Sequence, residues 1–108
     1  MSLREIMFFD KSKTMKTSHP AVVLFEKTLA EAKDGDAVAM VNIGLMYANG
    51  EGVIEDAVEA YGWFNVAAAN GYKRTAELRE MIKNDMTSEQ IAEGQKRSRE
   101  IMEFLTKK

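Results

Sequence analysis

The chain has 108 residues, of which 45% are hydrophobic and 30% are charged. This length and balance indicate one packed domain and exclude a wholly disordered chain. The net charge of −2 offers no basic field for nucleic acid phosphates, and with no cysteine the chain has no disulfide or thiolate metal site. No apolar run approaches the ~20 residues of a membrane helix. We therefore expect neither a nucleic acid partner nor a membrane partner.

The segment of residues 1–17 is interpreted as an arm that precedes the helices. It joins an apolar clump at residues 6–9 to a basic, hydroxyl-rich run at residues 11–16. We expect the clump to pack on the helices, because two adjacent phenylalanines in water favour aggregation. The basic run is a weaker candidate for contact with an acidic partner. The absence of a secretory signal in the first ten residues favours the cytoplasm, unless residues 1–3 replace a native beginning, in which case the periplasm stays open.

A first helix is expected to end near residue 33, within the segment 18–34. Ser18 has the chemistry of an N-cap, and Pro20 suits a first turn, where its missing amide proton is not needed. The apolar side of this helix is assigned to Val23, Leu24, Lys27, Leu29 and Ala30. Gly35 then supplies the positive φ that commonly ends a helix.

The second and third helices are expected to form a hairpin. Asp36 can cap the second helix, whose apolar residues fall three and four apart at Met40, Ile43, Gly44 and Tyr47. A tight loop containing two glycines follows, and Glu55 and Asp56 favour the start of the third helix through its dipole. The buried stripe of that helix is assigned to Ala57, Ala60, Trp63, Phe64, Ala67 and Ala68. Gly71 provides the left-handed stop near residue 70.

Two further helices complete the chain. The fourth, at about residues 73–84, carries Ala76, Leu78, Met81 and Ile82. Thr87 and Gln90 have capping-box spacing and predict the start of a long fifth helix. Gly94 within it costs up to ~1 kcal/mol relative to alanine, and opposite charges four apart, such as Glu93 and Arg97, indicate a solvated face. The prediction is an all-α chain of about five helices.

Residues 35–71 carry one gapless pattern that closely resembles the Sel-one-like repeat, a relative of the tetratricopeptide repeat. The spacing of 36 between Gly35 and Gly71 is near the ~34 residues of a tetratricopeptide hairpin. The positions that carry the resemblance are Gly35, Ile43, Gly44, Tyr47, Gly50, Gly52, Val53, Asp56, Ala60, Trp63, Ala67, Ala68 and Gly71. Ile54 replaces a frequent proline, and Gly62 is a helix glycine for which the pattern gives no need. Residues 18–34 resemble a degenerate preceding helix, and residues 72–108 the closing helices of many bacterial members.

The resemblance implies a short right-handed α-solenoid and a non-enzymatic adaptor that binds a protein or peptide on its concave face. On the second helix, the residues opposite the core face are assigned to partner binding: Val38, Val41, Asn42, Leu45 and Asn49. An alternative is that the first helix covers Val38 and Leu45. Because a solenoid usually needs about three units to bury its faces, the alternative function is a homodimeric module with no separate ligand.

No residue set in the sequence indicates catalysis, a cofactor or a metal ion. His19 is the only histidine and stands beside a helix start, so a capping or surface role is expected for it. Trp63 and Tyr47 are expected in the core and not as ligand-stacking rings. The two glycines of the loop lack the third glycine and the preceding strand of a phosphate site, and acidic residues flank them. The chain is therefore predicted to be no enzyme.

Overall fold

The computed structural model describes residues 19–107. The helices in this range are α1 (Pro20–Lys33), α2 (Ala37–Asn49), α3 (Ala57–Ala69), α4 (Lys73–Lys83) and α5 (Ser88–Thr106). No strand occurs between residues 19 and 107. The predicted all-α order of helices is confirmed. The proposed arm, with its apolar clump and basic run, and the cap assigned to Ser18 lie outside the described residues.

Local side-chain hydrogen bonds explain where four of the helices begin. Asp36 and Asp56 each accept a hydrogen bond at 3.1 Å from the backbone amide three residues on. Thr87 and Gln90 form both hydrogen bonds of a capping box, at 3.1 and 2.9 Å. His19 is the N-cap of α1, and its Nδ1 accepts a hydrogen bond at 3.2 Å from the amide two residues on. Such caps satisfy amides that have no partner inside the helix.

The loop between α2 and α3 lies directly against the start of α1. Gly52 has a φ of 71°, and a Cβ at this position would overlap the carbonyl oxygen of Ala21. Both the left-handed backbone and the close approach therefore require glycine at this point. Gly35 and Gly71, with φ of 99° and 91°, occupy the left-handed region after α1 and α3, as predicted.

Helix α3 is the centre of the fold, because it packs against α2, α4 and α5, whereas α1 packs against α2. The buried hydrophobic core is formed by Phe25, Ala32, Ala39, Met40, Ile43, Met46, Trp63, Val66, Ala67 and Ile101. Trp63 is thus a core residue, as predicted. The predicted stripe of α3 was too narrow: Tyr61 and Val66 are also buried, whereas Ala57 and Ala68 are half-buried. Contact with three helices buries α3 on more than one side.

The predicted apolar side of α1 is wrong except at Leu29, which packs against the core. Val23 and Leu24 are 52% and 56% exposed, and Lys27 and Ala30 are also exposed. The helix instead buries Phe25, Thr28 and Ala32, with Leu29 half-buried beside them. Phe25 selects this side, because its ring meets Tyr47 of α2 edge to face, with centroids 5.3 Å apart. The packing of α2 therefore decides which side of α1 faces inward.

The α2–α3 interface is a close apolar contact centred on Gly44. A Cβ on Gly44 would overlap the ring of Phe64, so the aromatic ring occupies the space above the glycine. Gly44 is buried, and Phe64 is among the most deeply buried side chains. At the edge of this contact Tyr47 is half-buried, and burial, together with the nearby Glu59 carboxylate, raises the pKa of its hydroxyl above 10.0. The absence of a side chain at Gly44 thus sets how near α2 lies to α3.

The α3–α5 interface uses Gly94 in the same way, whereas Gly62 meets only the flexible side chain of Arg97. A Cβ on Gly94 would lie 2.5 Å from Cδ1 of Tyr61, and one on Gly62 would lie 3.1 Å from Cγ of Arg97. These glycines come from opposite helices and both are buried. The absence of a side chain at Gly94, which lowers the helix propensity of α5, therefore permits the two helices to touch.

Polar pairs accompany the glycines of the α3–α5 interface. Arg97 Nε donates to Glu59 Oε1 at 2.6 Å, and Asn65 Nδ2 donates to Ser98 Oγ at 2.9 Å. Arg97 also lies 3.6 Å from Glu100. The predicted pairing of Arg97 with Glu93 is therefore wrong, because the carboxylate of α3 competes for the guanidinium from a more buried position.

Candidate functional site

An extended concave surface lies between α2 and α4, and we call it the α2/α4 groove. Two cavities of about 500 and 490 Å³ form it, and they share Leu45, Leu78 and Met81 as common lining residues. One cavity joins Asn49 at the end of α2 to Asp85 after α4. The other joins the middle of α2 to the first half of α4. The two helices therefore run in the same direction along the groove.

The floor of the groove is apolar. Val41, Leu45 and Leu78 are half-buried, and Phe64 of α3 closes the floor at one end. Met81 stands at the rim with 67% of its surface exposed. Met side chains adapt to different partner shapes, since they are unbranched and polarizable. An apolar floor beneath a flexible apolar rim is suited to binding apolar side chains.

The two ends of the groove differ in charge. Glu55 and Asp85 line the end where α2 and α4 terminate, and both are exposed. Neither carboxylate has an ion-pair partner among residues 19–107. The C-terminal ends of α2 and α4 add negative potential there, whereas the N-terminal ends of α3 and α5, which reach the same cavity at Ala57 and Gln90, offset part of it. At the opposite end Arg74 and Glu77 carry opposite charges.

The structure places three of the five predicted partner-binding residues on the groove. Val41, Leu45 and Asn49 line it, and the Nδ2 of Asn49 also lies 3.4 Å from Glu51 Oε1. Val38 and Asn42 do not line either cavity. Val38 is 49% exposed, so the alternative in which the first helix covers it is wrong, and Leu45 is half-buried in a groove that it shares with α4.

The sequence interpretation missed the α4 side of the groove. Its lining residues there are Tyr72, Arg74, Thr75, Glu77, Leu78, Met81, Ile82 and Asp85. Leu78, Met81 and Ile82 are apolar residues of α4 to which the sequence interpretation assigned no binding role, whereas Thr75 is the fully buried residue of this helix. The 36-residue period carried the missing signal at one position, because it aligns Met81 with Leu45.

A second concavity, of about 440 Å³, lies between α3 and α5. It is lined by Asn65, Val66, Ala69, Gln95, Ser98, Arg99 and Met102. Asn65 is already engaged on both sides of its amide, since it donates to Ser98 and its Oδ1 accepts from Arg79 of α4 at 3.3 Å. These hydrogen bonds connect α3, α4 and α5 across the concavity. The polar groups of Asn65 and Ser98 therefore serve the fold.

The described residues contain no cluster that suggests a metal centre. Between residues 19 and 107, no three histidine or acidic side chains come together in a way that could hold a metal ion. His19 has the capping position described above, with its Nδ1 on the amide of Ala21. None of the helices in residues 19–107 combines the length and apolar character needed to cross a membrane.

Comparison with known proteins gives an informative similarity among solved structures. No protein-family profile matches the sequence, and no curated protein matches it either. Among solved structures, the chain is similar to a protective antigen present in uropathogenic Escherichia coli strains that displays an SLR fold, where SLR denotes the Sel-one-like repeat. The sequences are 26% identical, with a TM-score of 0.76 over 79% of this chain and 18% of the antigen.

The chain has a Sel-one-like repeat fold. The resemblance carried by residues 35–71 is thereby confirmed at the level of the fold, and α2 and α3 form the hairpin of the complete repeat. The chain spans less than a fifth of the antigen's length, so the antigen's role is not transferred to it.

Proposed function

We propose that this SLR chain is a non-enzymatic protein-interaction module that binds a short segment of a partner in the α2/α4 groove. The observation that carries the proposal is the continuous apolar floor shared by two cavities of about 500 and 490 Å³. Concave, mostly apolar surfaces with a few polar groups are the usual form of binding sites. The SLR-fold neighbour supports a helical-repeat interaction module in general terms.

The dimensions of the groove limit what it can hold. Along α2 the lining extends from Val41 to Asn49, which corresponds to about 12 Å at the rise of an α-helix. That length accommodates about two turns of a partner helix or about four residues of an extended strand. The occupant is therefore a short motif and not a whole domain face.

Photo-crosslinking tests the location of the site. A photoreactive amino acid is placed at Met81 in the groove and, as a matched exposed control, at Ala92 on α5. In cells that produce the protein, we expect adducts with another protein from the Met81 position and none from the Ala92 position. Adducts of equal yield from both positions would contradict a site in the groove.

Two arginine substitutions test which residues of α2 take part. Asn49 lines the groove and Asn42 does not, although both are exposed. We expect Asn49→Arg to weaken partner capture more than Asn42→Arg, with unchanged circular dichroism for both. Equal effects of the two variants on capture would mean that the binding face is wrongly placed on α2.

Self-association is a second candidate function, favoured by apolar residues outside the groove. Val23 and Leu24 of α1 are 52% and 56% exposed, and Ile54 of the α2–α3 loop is 88% exposed. Light scattering on the purified chain separates the two functions. The interaction module predicts a monomer, whereas a dimer that dissociates on Leu24→Asp or Val38→Asp substitution would support self-association in its place.

A further inference from the structure

The α2/α4 groove has a chemical direction, because its apolar floor leads to an acidic end. Leu45, Leu78 and Met81 contribute to both cavities and so form the middle of the floor. Glu55 and Asp85 belong only to the cavity at the C-terminal ends of α2 and α4. A ligand lying along the floor therefore meets carboxylates at this end.

No basic side chain lines the cavity at this acidic end. Glu55 precedes α3 and Asp85 follows α4, so two separate loops bring the carboxylates to one cavity. Both side chains are exposed, and the other polar residues of the lining, Asn49 and Gln90, are uncharged. Glu51 lies beside Asn49 and adds a third negative charge. The potential at this end favours a cation.

The opposite end of the groove does not carry an excess of negative charge. Arg74 and Glu77 both line it, and their charges offset each other. The N-terminal end of α4, next to Tyr72, contributes the positive end of a helix dipole. The groove thus presents a balanced end, an apolar middle and a negative end in that order.

We infer that the occupant is a short partner segment with two or more apolar side chains followed on one side by Lys or Arg. The apolar side chains lie over Leu45, Leu78 and Met81, and the basic side chain lies between Glu55 and Asp85. This inference rests on the proposed function of the groove. Complementary charge fixes the direction in which the segment binds and excludes acidic segments, whereas the apolar floor supplies most of the affinity.

The test is a selection from a phage-displayed library of random peptides on the whole chain. It is run on the wild type, on the Glu55→Lys/Asp85→Lys variant and on Met81→Asp. Because Glu55, Asp85 and Met81 are all exposed, the variants keep the fold, which thermal melts verify. A control with the same change of net charge, Glu26→Lys/Glu31→Lys, alters exposed carboxylates of α1 outside the groove.

We expect the wild type and the α1 control to enrich apolar peptides flanked by Lys or Arg. The Glu55→Lys/Asp85→Lys variant should enrich peptides flanked by Asp or Glu and bind the wild-type peptides about tenfold more weakly. Glu55→Gln/Asp85→Asn should weaken these peptides less than the reversal does. Met81→Asp should reduce binding of both classes of peptide.

Two results would overturn the inference, and they are distinguishable. If Met81→Asp weakens the selected peptides but these peptides lack a basic flank, the groove binds partners without this direction. The same conclusion follows if the charge reversal leaves the binding of the selected peptides unchanged. If the selected peptides bind the wild type and Met81→Asp equally, the groove is not the binding site. The proposed function then fails together with the inference.

Discussion

The α2–α3 and α3–α5 interfaces both place a glycine of one helix against an aromatic ring of α3, but they differ in what surrounds the contact. Gly44 lies under Phe64 in an apolar core, whereas Gly94 lies under Tyr61 beside the Glu59–Arg97 ion pair. Close approach at a glycine is thus compatible with both kinds of surroundings. The repeat pattern includes Gly44 of the first contact, and nothing in that pattern predicts the second contact.

The largest expected effect comes from filling the space under Phe64. Gly44→Leu should lower the free energy of unfolding by about 3 kcal/mol, because the added side chain overlaps a buried ring that cannot move aside. Urea denaturation measures the loss. Asn42→Leu, at an exposed position of the same helix, is the control and should change stability little. Equal midpoints for the two variants would contradict the assigned role of Gly44.

The two glycines of the α3–α5 interface should respond differently to alanine. Gly94→Ala should cost about 1–2 kcal/mol, because its Cβ meets the buried Tyr61 ring. Gly62→Ala should change stability by less than about 0.5 kcal/mol, since the flexible Arg97 stem can shift and alanine improves helix propensity. Thermal melts of both variants test this difference. A larger loss of stability for Gly62→Ala than for Gly94→Ala would contradict the assignment of the rigid contact to Gly94 and Tyr61.

The polar surroundings of the second interface should contribute little energy of their own. The side chains of Arg97 and Glu59 are 38% and 21% exposed, so a double-mutant cycle should give a coupling of about 0.5–1 kcal/mol that weakens in high salt. The Lys107–Glu103 pair, 72% and 67% exposed, is the control and should give less. A coupling at Glu59–Arg97 no larger than the control's would leave the glycine contact as the main feature of this interface.

The smallest effect is expected at Thr75 of α4, the remaining helix that packs against α3. Its side chain is fully buried, and its hydroxyl has no hydrogen-bond partner among residues 19–107. Thr75→Val should therefore leave stability within about 0.5 kcal/mol of the wild type or raise it, because it replaces an unpaired polar group with a methyl group. Thr75→Ala should cost about 1 kcal/mol through the cavity it leaves. A larger loss with Val than with Ala would indicate a partner for the hydroxyl.

Local signals in the sequence predicted the helices but not every face that they bury. The caps at Asp36 and Asp56 act on amides within three residues, so they can be recognised without knowledge of the fold. The inward side of α1 could not be found in this way. Phe25 is buried because it meets Tyr47, and this contact depends on how the hairpin packs.

The candidate site could also be predicted only in part, because it combines residues from separate helices and loops. Val41, Leu45 and Asn49 follow from the face of α2 that the repeat leaves free, and the groove includes them. Glu55 and Asp85 come from two loops, and no pattern within either loop relates one carboxylate to the other. The two carboxylates share one end of the groove because α2 and α4 pack side by side in the tertiary structure.

The number, order and approximate limits of the helices and the repeat hairpin follow from local sequence signals, since capping and helix-breaking act over a few residues. Packing between the helices selects which faces meet across long separations. It places Gly94 against Tyr61, exposes Leu24 and joins α2 to α4 in one groove. These outcomes depend on the fit between side chains more than 20 positions apart, where helical periodicity alone leaves several faces equally suitable.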